Sequence, residues 1–320
     1  MEPLTIKPVW KSKAGCSVAF SHDCQLLALA GMRGPARVVQ TGNWKEIAEC
    51  EGLKVHIDGL AFSPDGSQLA IAQMYDRLTI CQSSTGKLLA KGVFGDTKKN
   101  HLEQLSGVEY SRQTGELLRS AWKPTIDVIS LADASLAEKF QPSGGTKSVS
   151  AFSFNRGGSI LVVVWKGKAS QFKQVMFWEW KDRKFLRGFT LESDSTMDMA
   201  LSTDEALVAV PFTRFELPES HEGVLFLDAR TGDTVMTWKG ARFSQVAFLP
   251  DSHLLAASQG GRIYLGDAGM DSPKACLQVL KGTGEVAQIA ISPDGKFLAA
   301  GTSSGAFVWN LQEVRASAGL

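Results

Sequence analysis

VAQIAISPDGKFLAAGTSSGAFVWN, residues 286–310, reads as three short strands separated by two turns. Val286 to Ile291 alternates, Ser292-Pro293-Asp294-Gly295 turns the chain, a second apolar run follows, and a Ser/Gly turn leads to a third strand closing on Trp309. Pro at the second turn position pre-sets φ, and Asp followed by Gly completes the reversal. A unit of this size cannot bury its own faces, so copies elsewhere in the chain must do it.

Seven copies are present. Aligned on the residue ending the first strand they are Ser21, Ser63, Ser111, Asn155, Ser202, Leu249 and Ser292, spaced by 42, 48, 44, 47, 47 and 43 residues. One residue earlier stands a large apolar side chain: Phe20, Phe62, Tyr110, Phe154, Leu201, Phe248 or Ile291. Two earlier the column is small (Ala19, Ala61, Ser153, Ala200, Ala247, Ala290) except at Glu109, and three earlier it is large again, from Val18 to Ile289. Large, small, large at period two is a strand with one bulky face and one face needing close approach. Six residues after each anchor stands Leu27, Leu69, Leu117, Leu161, Val208, Leu255 or Leu298, the start of a second strand. A third strand, a turn that is often Thr-Gly, and a fourth strand complete each unit. Helical periodicity is nearly missing. Four strands per unit at a period near ~40–45 residues predict an all-β, seven-bladed propeller of four-stranded antiparallel blades.

The seventh unit stops after its third strand. Leu4 to Lys11, LTIKPVWK, lines up with the fourth strand DTVMTWKG at 233–240, so residues 4–11 are expected to complete the last blade and close the ring. Pro8 is tolerable there because that strand is an outer edge. The domain reading is one propeller over residues 1–314, with 315–320 as a C-terminal tail.

The Leu60 to Ala70 and Ile289 to Ala299 stretches, large-Ala-Phe/Ile-Ser-Pro-Asp-Gly with a following Leu-Ala, resemble the WD-repeat β-propeller family. The resemblance covers Leu4 to Leu311. The Trp-Asp end of the third strand survives in part, as Trp309-Asn310, Trp180-Lys181 and Leu227-Asp228, and the Gly-His that precedes strand one in the family is absent. The family's buried His, Ser, Asp network is therefore not carried over. What the resemblance implies is the fold and a non-catalytic role as a platform for other proteins.

Composition sets outer limits. With 34 Lys and Arg against 33 Asp and Glu, the net charge of +1 gives no global field for nucleic acid or anionic membrane. No run is apolar and long enough to span a bilayer or serve as a signal core, so the expected location is cytoplasmic. Five cysteines without a C-x-x-C pair read as free thiols. Gly301-Thr302-Ser303-Ser304-Gly305 matches G-x-S-x-G, but a nucleophile elbow needs a helix after it and a strand follows here, so it is a hairpin turn. No phosphate cradle and no H-E-x-x-H occurs. The expectation is no catalytic residue, no metal and no cofactor.

Function is sought where blades depart from the repeat. Seven residues before each anchor, at the expected channel mouth, the ring reads Ala14, His56, Gln104, Ser148, Ser195, Arg242 and Glu285. The same rim carries two long departures: 92–104 with Lys98, Lys99 and His101, and 210–222 with Phe212, Arg214, Phe215 and His221. His22 and His253 fall on the opposite rim. Asp58, Glu109 and Asp198 are candidate channel-lining carboxylates, and Glu109 is expected to find a pairing partner because a charge there is desolvated. Solvated loop chemistry explains the polar, dissimilar rim, and a binding mouth predicts it too. The reading is a scaffold that binds a partner protein or peptide on this rim, monomeric, without nucleic acid or membrane. The rivals are a metal-dependent hydrolase or lyase with its site at the channel mouth, and a sensory or regulatory module of a multi-protein signalling system.

Overall fold

The computed structural model describes the chain except at residues 33, 54, 95–106, 121–122, 142–147, 167–171, 194, 197, 217–218, 251 and 281–283, and except for the side chains of 215, 216, 219 and 220. Seven four-stranded antiparallel sheets form the blades of a propeller. They span 17–50, 57–93, 107–140, 148–192, 200–239, 245–278 and 286–310, the last joined by Trp10–Ser12. Their innermost strands meet in chain order around the ring, and the innermost strand of blade 7 meets that of blade 1. None of the helices among the described residues is long and apolar enough to cross a membrane.

The large residues three before each anchor turn into the seams between blades. Val18, Leu60, Phe152, Met199, Val246 and Ile289 are all buried there. The described core divides into seven apolar clusters, one at each seam. Each fully buried Leu, Val or Phe contributes about 1.5–3 kcal/mol, so every blade depends on both neighbours.

The anchor serine folds the turn that follows it. Ser21, Ser63, Ser202 and Ser292 are buried, and each hydroxyl donates to the aspartate two residues on, Asp23, Asp65, Asp204 or Asp294, at 2.6–2.7 Å. The same hydroxyls accept the N–H of Leu26, Gln68, Leu207 and Phe297, which starts strand two. The Ser202 hydroxyl, with His253 and the Ala206 N–H, holds the Asp204 carboxyl down to about 2. Within Gly301 to Gly305, Ser303 and Ser304 form the hairpin turn between the strands Phe297–Thr302 and Gly305–Asn310.

Ring closure uses a shorter segment than 4–11. Trp10, Lys11 and Ser12 pair with Val308, Phe307 and Ala306, while Leu4 bridges in parallel to Leu277 on the outer strand of blade 6. Pro8 separates the two pairings because it has no N–H to donate; the run on blade 7 begins at the next residue, with Val9 N–H to the Val308 carbonyl at 2.8 Å. Trp10 then stacks on Trp44 of blade 1 at 5.6 Å, and Trp44 meets the Phe297 edge at 5.0 Å. Gly305 (φ 136°) has no Cβ because one would strike the Ser12 carbonyl.

The expected boundary at 314 falls inside a helix, Leu311–Ala318, capped by the Asn310 side chain and by Gly319 at φ 66°. Leu311 and Val314 bury into the seam of blades 6 and 7 beside Ile6. Two buried positions in eight residues give little periodicity to read in sequence.

Among the described residues, Arg119 and Asp76 place a charged pair in the core. Arg119 occupies a column that is Leu29, Ile71, Val163, Val210, Ala257 or Ala300 in other blades. Its guanidinium meets the Asp76 carboxylate, both 1% exposed, and lies over the Phe94 ring. Lys123 Nζ reaches the second Asp76 oxygen at 2.5 Å.

Two substitutions test this architecture by urea unfolding. Trp10→Ala is expected to cost about 2 kcal/mol, below the ~3–5 of a fully buried aromatic because Trp10 is half-buried. An unchanged midpoint would remove the aromatic closure. Asp76→Asn keeps the turn backbone, since Asn also adopts positive φ, but strands Arg119; the expected cost is about 3–5 kcal/mol. A loss under about 1 kcal/mol would show that the pair is dispensable.

Candidate functional site

The inner strand of each blade faces the channel with one edge unpaired. Among the described residues, a side chain from the preceding blade caps an N–H on that edge at three places. Gln288 Oε1 accepts from Val18 N–H at 3.1 Å, Asp198 Oδ2 from Val246 N–H at 2.8 Å, and Glu109 from Phe154 N–H at 3.2 Å. The Ser153 hydroxyl also donates to Glu109, at 3.4 Å. Glu109 therefore satisfies its column by capping backbone; Arg112 acts on it only through charge. Burial in the channel wall pushes Glu109 up to about 7 against the Phe154 N–H, the Ser153 hydroxyl and Arg112. Burial does the same to Asp198, also to about 7, against the Val246 and Met199 N–H groups.

Nearer the mouth, a bulge between Ile57 and Gly59 sets Asp58 beside His56, with Nδ1 to Oδ1 at 3.0 Å. Burial raises the Asp58 carboxyl, and His56 opposes the shift. Among the described residues no group of three His, Cys, Asp or Glu side chains is placed to hold a metal ion. Ser195 pairs with Thr213 through both backbone bonds, at 3.2 and 3.3 Å. Arg242 and Glu285 are exposed on the rim.

The 210–222 departure is a hairpin rather than a loop. Leu207–Glu216 and Glu219–Asp228, ten residues each, continue strands two and three of blade 5 above the rim. Phe212 is half-buried against Gly223. Arg214 reaches Glu192 on the outer strand of blade 4 at 2.6 Å, which ties the hairpin to its neighbour. His221 is exposed, opposite Arg214 in the register, and Phe215 is opposite Ser220. Lys98, Lys99, His101 and Gln104 lie outside the described residues.

The opposite face is crossed from blade to blade. Arg112, in the first turn of blade 3, donates from Nε to Nδ1 of His22 in the first turn of blade 1 at 2.8 Å. Arg156 of blade 4 donates to the Pro293 carbonyl of blade 7 at 3.5 Å, between blades that are not neighbours. Burial and the Arg112 charge push His22 down to about 4, so it meets the guanidinium as a neutral acceptor. Sequence reading missed Gln288, Arg112 and Arg156. Arg112 and Arg156 are single polar residues in polar turns, Gln288 is a polar residue in an apolar strand, and each has its partner distant in sequence.

Two family models match separate parts of the chain. That of the anaphase-promoting complex subunit 4 WD40 domain matches residues 18–113, and that of the WD domain, G-beta repeat, matches residues 274–310. No curated protein matches the chain. Among solved structures, Kuenenia stuttgartiensis hydrazine synthase is similar over 95% of this chain and 97% of that chain, with a TM-score of 0.77 and 16% identity. At that identity the likeness is one of fold.

The channel carboxylates predict a pH dependence. Glu109 and Asp198 titrate near 7 when folded and near 4 when unfolded, so between these values the folded state binds more protons. Their contribution to stability therefore falls as pH rises from about 4 to about 7. Glu109→Gln with Asp198→Asn keeps an acceptor oxygen at each cap and removes the titration. Urea unfolding across that window should show less decline with rising pH in the double variant, and an identical decline counts against the assignment.

Proposed function

We propose that this chain, a WD-repeat β-propeller with degenerate repeats, is a non-catalytic scaffold that holds a partner protein or peptide over the channel mouth. The site is the rim bearing His56, Arg242, Glu285 and the blade 5 hairpin. The observation that carries this reading is the asymmetry of the two faces. One face is built from repeated Ser-Asp turns and spanned by Arg112 to His22 and Arg156 to Pro293. The other carries dissimilar residues at equivalent positions and a hairpin that rises above the ring.

WD-repeat propellers in general serve as protein-interaction platforms, and one of the matched families describes a subunit of a larger complex. Affinity on a near-neutral protein would come from a few anchors rather than long-range steering. Phe212, half-buried in the hairpin, and Arg242, exposed without a described ion-pair partner, are suited to that role. The protein would act as a cytoplasmic monomer with no resident cofactor.

Arg242→Ala should reduce capture of the native partner by about tenfold, the loss of one anchor, and leave the melting temperature unchanged. Quantitative affinity capture from the native cell, read by mass spectrometry beside a melting curve, measures both. Full capture by a variant that also carries Phe212→Ala would rule out the rim.

A further inference from the structure

The outer strand of blade 2, Leu88–Val93, ends its sheet, and no described strand pairs with its outward edge. An open edge presents a row of N–H and C=O groups to other chains. On blade 6 the protein covers the corresponding edge with its own N-terminal segment, through Leu4 beside Leu277. Blade 2 has no such cover among the described residues. Its edge strand is nevertheless apolar, with Leu88, Leu89 and Val93 exposed by 47, 43 and 56%. The outer strands of blades 3, 4 and 5 also expose large apolar side chains, at Leu136, Phe185 and Val235, and the charge beside them is what sets blade 2 apart.

The exposed charge on the outer half of this blade has one sign. Between Ser67 and Phe94 the single acidic residue is Asp76, which is buried against Arg119. Arg77, Lys87 and Lys91 are exposed, and none of them forms an ion pair with a described residue. A bulge beside Cys81 leaves Leu89, Lys91 and Val93 at period two on the exposed side. A cleft of about 440 Å³ opens next to the strand, lined in part by Val93, Phe94, Leu136 and Lys139. A second copy of the strand would bring Lys87 and Lys91 against like charges, which disfavours self-pairing.

We propose that the outer edge of blade 2 is a docking strand for an extended acidic segment of a partner protein, in which carboxylates alternate with apolar residues on one face. Backbone pairing along Leu88–Val93 supplies the attachment, Leu89 and Val93 take the apolar side chains, and Lys91 with Lys87 and Arg77 selects the carboxylates. This site is separate from the channel mouth and stands whether or not the rim binds.

The probe is a blocked, labelled peptide, Val-Thr-Glu-Thr-Val-Thr-Glu, with a second peptide carrying Lys for Glu as control. Fluorescence anisotropy on the full chain should show binding of the Glu peptide and not the Lys peptide. Lys87→Glu with Lys91→Glu should weaken it by about tenfold or more, and Arg242→Ala should leave it unchanged. Hydrogen exchange on the unsubstituted protein decides independently of how the variant folds: the Glu peptide should slow exchange along Leu88–Val93. Equal binding of the two peptides, or protection elsewhere than Leu88–Val93, would overturn the proposal.

Discussion

No blade of this protein can bury both faces alone, and every apolar cluster of the described core is shared by two neighbours. The ring therefore depends on its last seam. There three residues, Trp10–Ser12, supply a strand, and Trp10, Trp44 and Phe297 stack across the junction of blades 7 and 1. The Leu311–Ala318 helix and Ile6 add apolar cover at the seam of blades 6 and 7, and the Trp309 indole donates to the Ile6 carbonyl at 2.9 Å. Closure shuts the inner edges inside the channel and leaves the outer strands as the edges open to other chains.

What was legible in the sequence was local. Period-two alternation, the Ser-Pro-Asp-Gly turns and the column six residues on are set by neighbours within one hairpin, so they repeat visibly. Glu109 stood out because its column is otherwise small, and Arg119 could have been read the same way against six apolar equivalents. Its partner Asp76 could not, because it lies in a turn of the preceding blade. The register of the closing strand was not legible either. LTIKPVWK resembles a fourth strand throughout, and the choice of Trp10–Ser12 comes from Pro8 and from a tryptophan thirty-four residues away.

The candidate site was legible as a set of variable positions, not as an arrangement. The sequence placed His56, Ser195, Arg242 and Glu285 at one level of the ring. It could not tell that Asp58 would be swung against His56 by a bulge, or that Arg214 would be tied to Glu192. Nor could it tell that one mouth is crossed by arginines from blades 3 and 4, since those bonds join non-neighbouring blades. That crossing gives the two faces different roles in this account. The repeated turns and their buried Ser-Asp bonds hold the fold, and the opposite rim is left for recognition.

Hydrogen exchange on the complex with the native partner tests this division most directly. The account predicts slowed exchange along the blade 5 hairpin, Leu207–Glu216 and Glu219–Asp228, and beside Arg242, with the Ser-Asp turns after Ser21, Ser63 and Ser292 unchanged. Slowed exchange at those turns, with the hairpin and Arg242 unaffected, would contradict it.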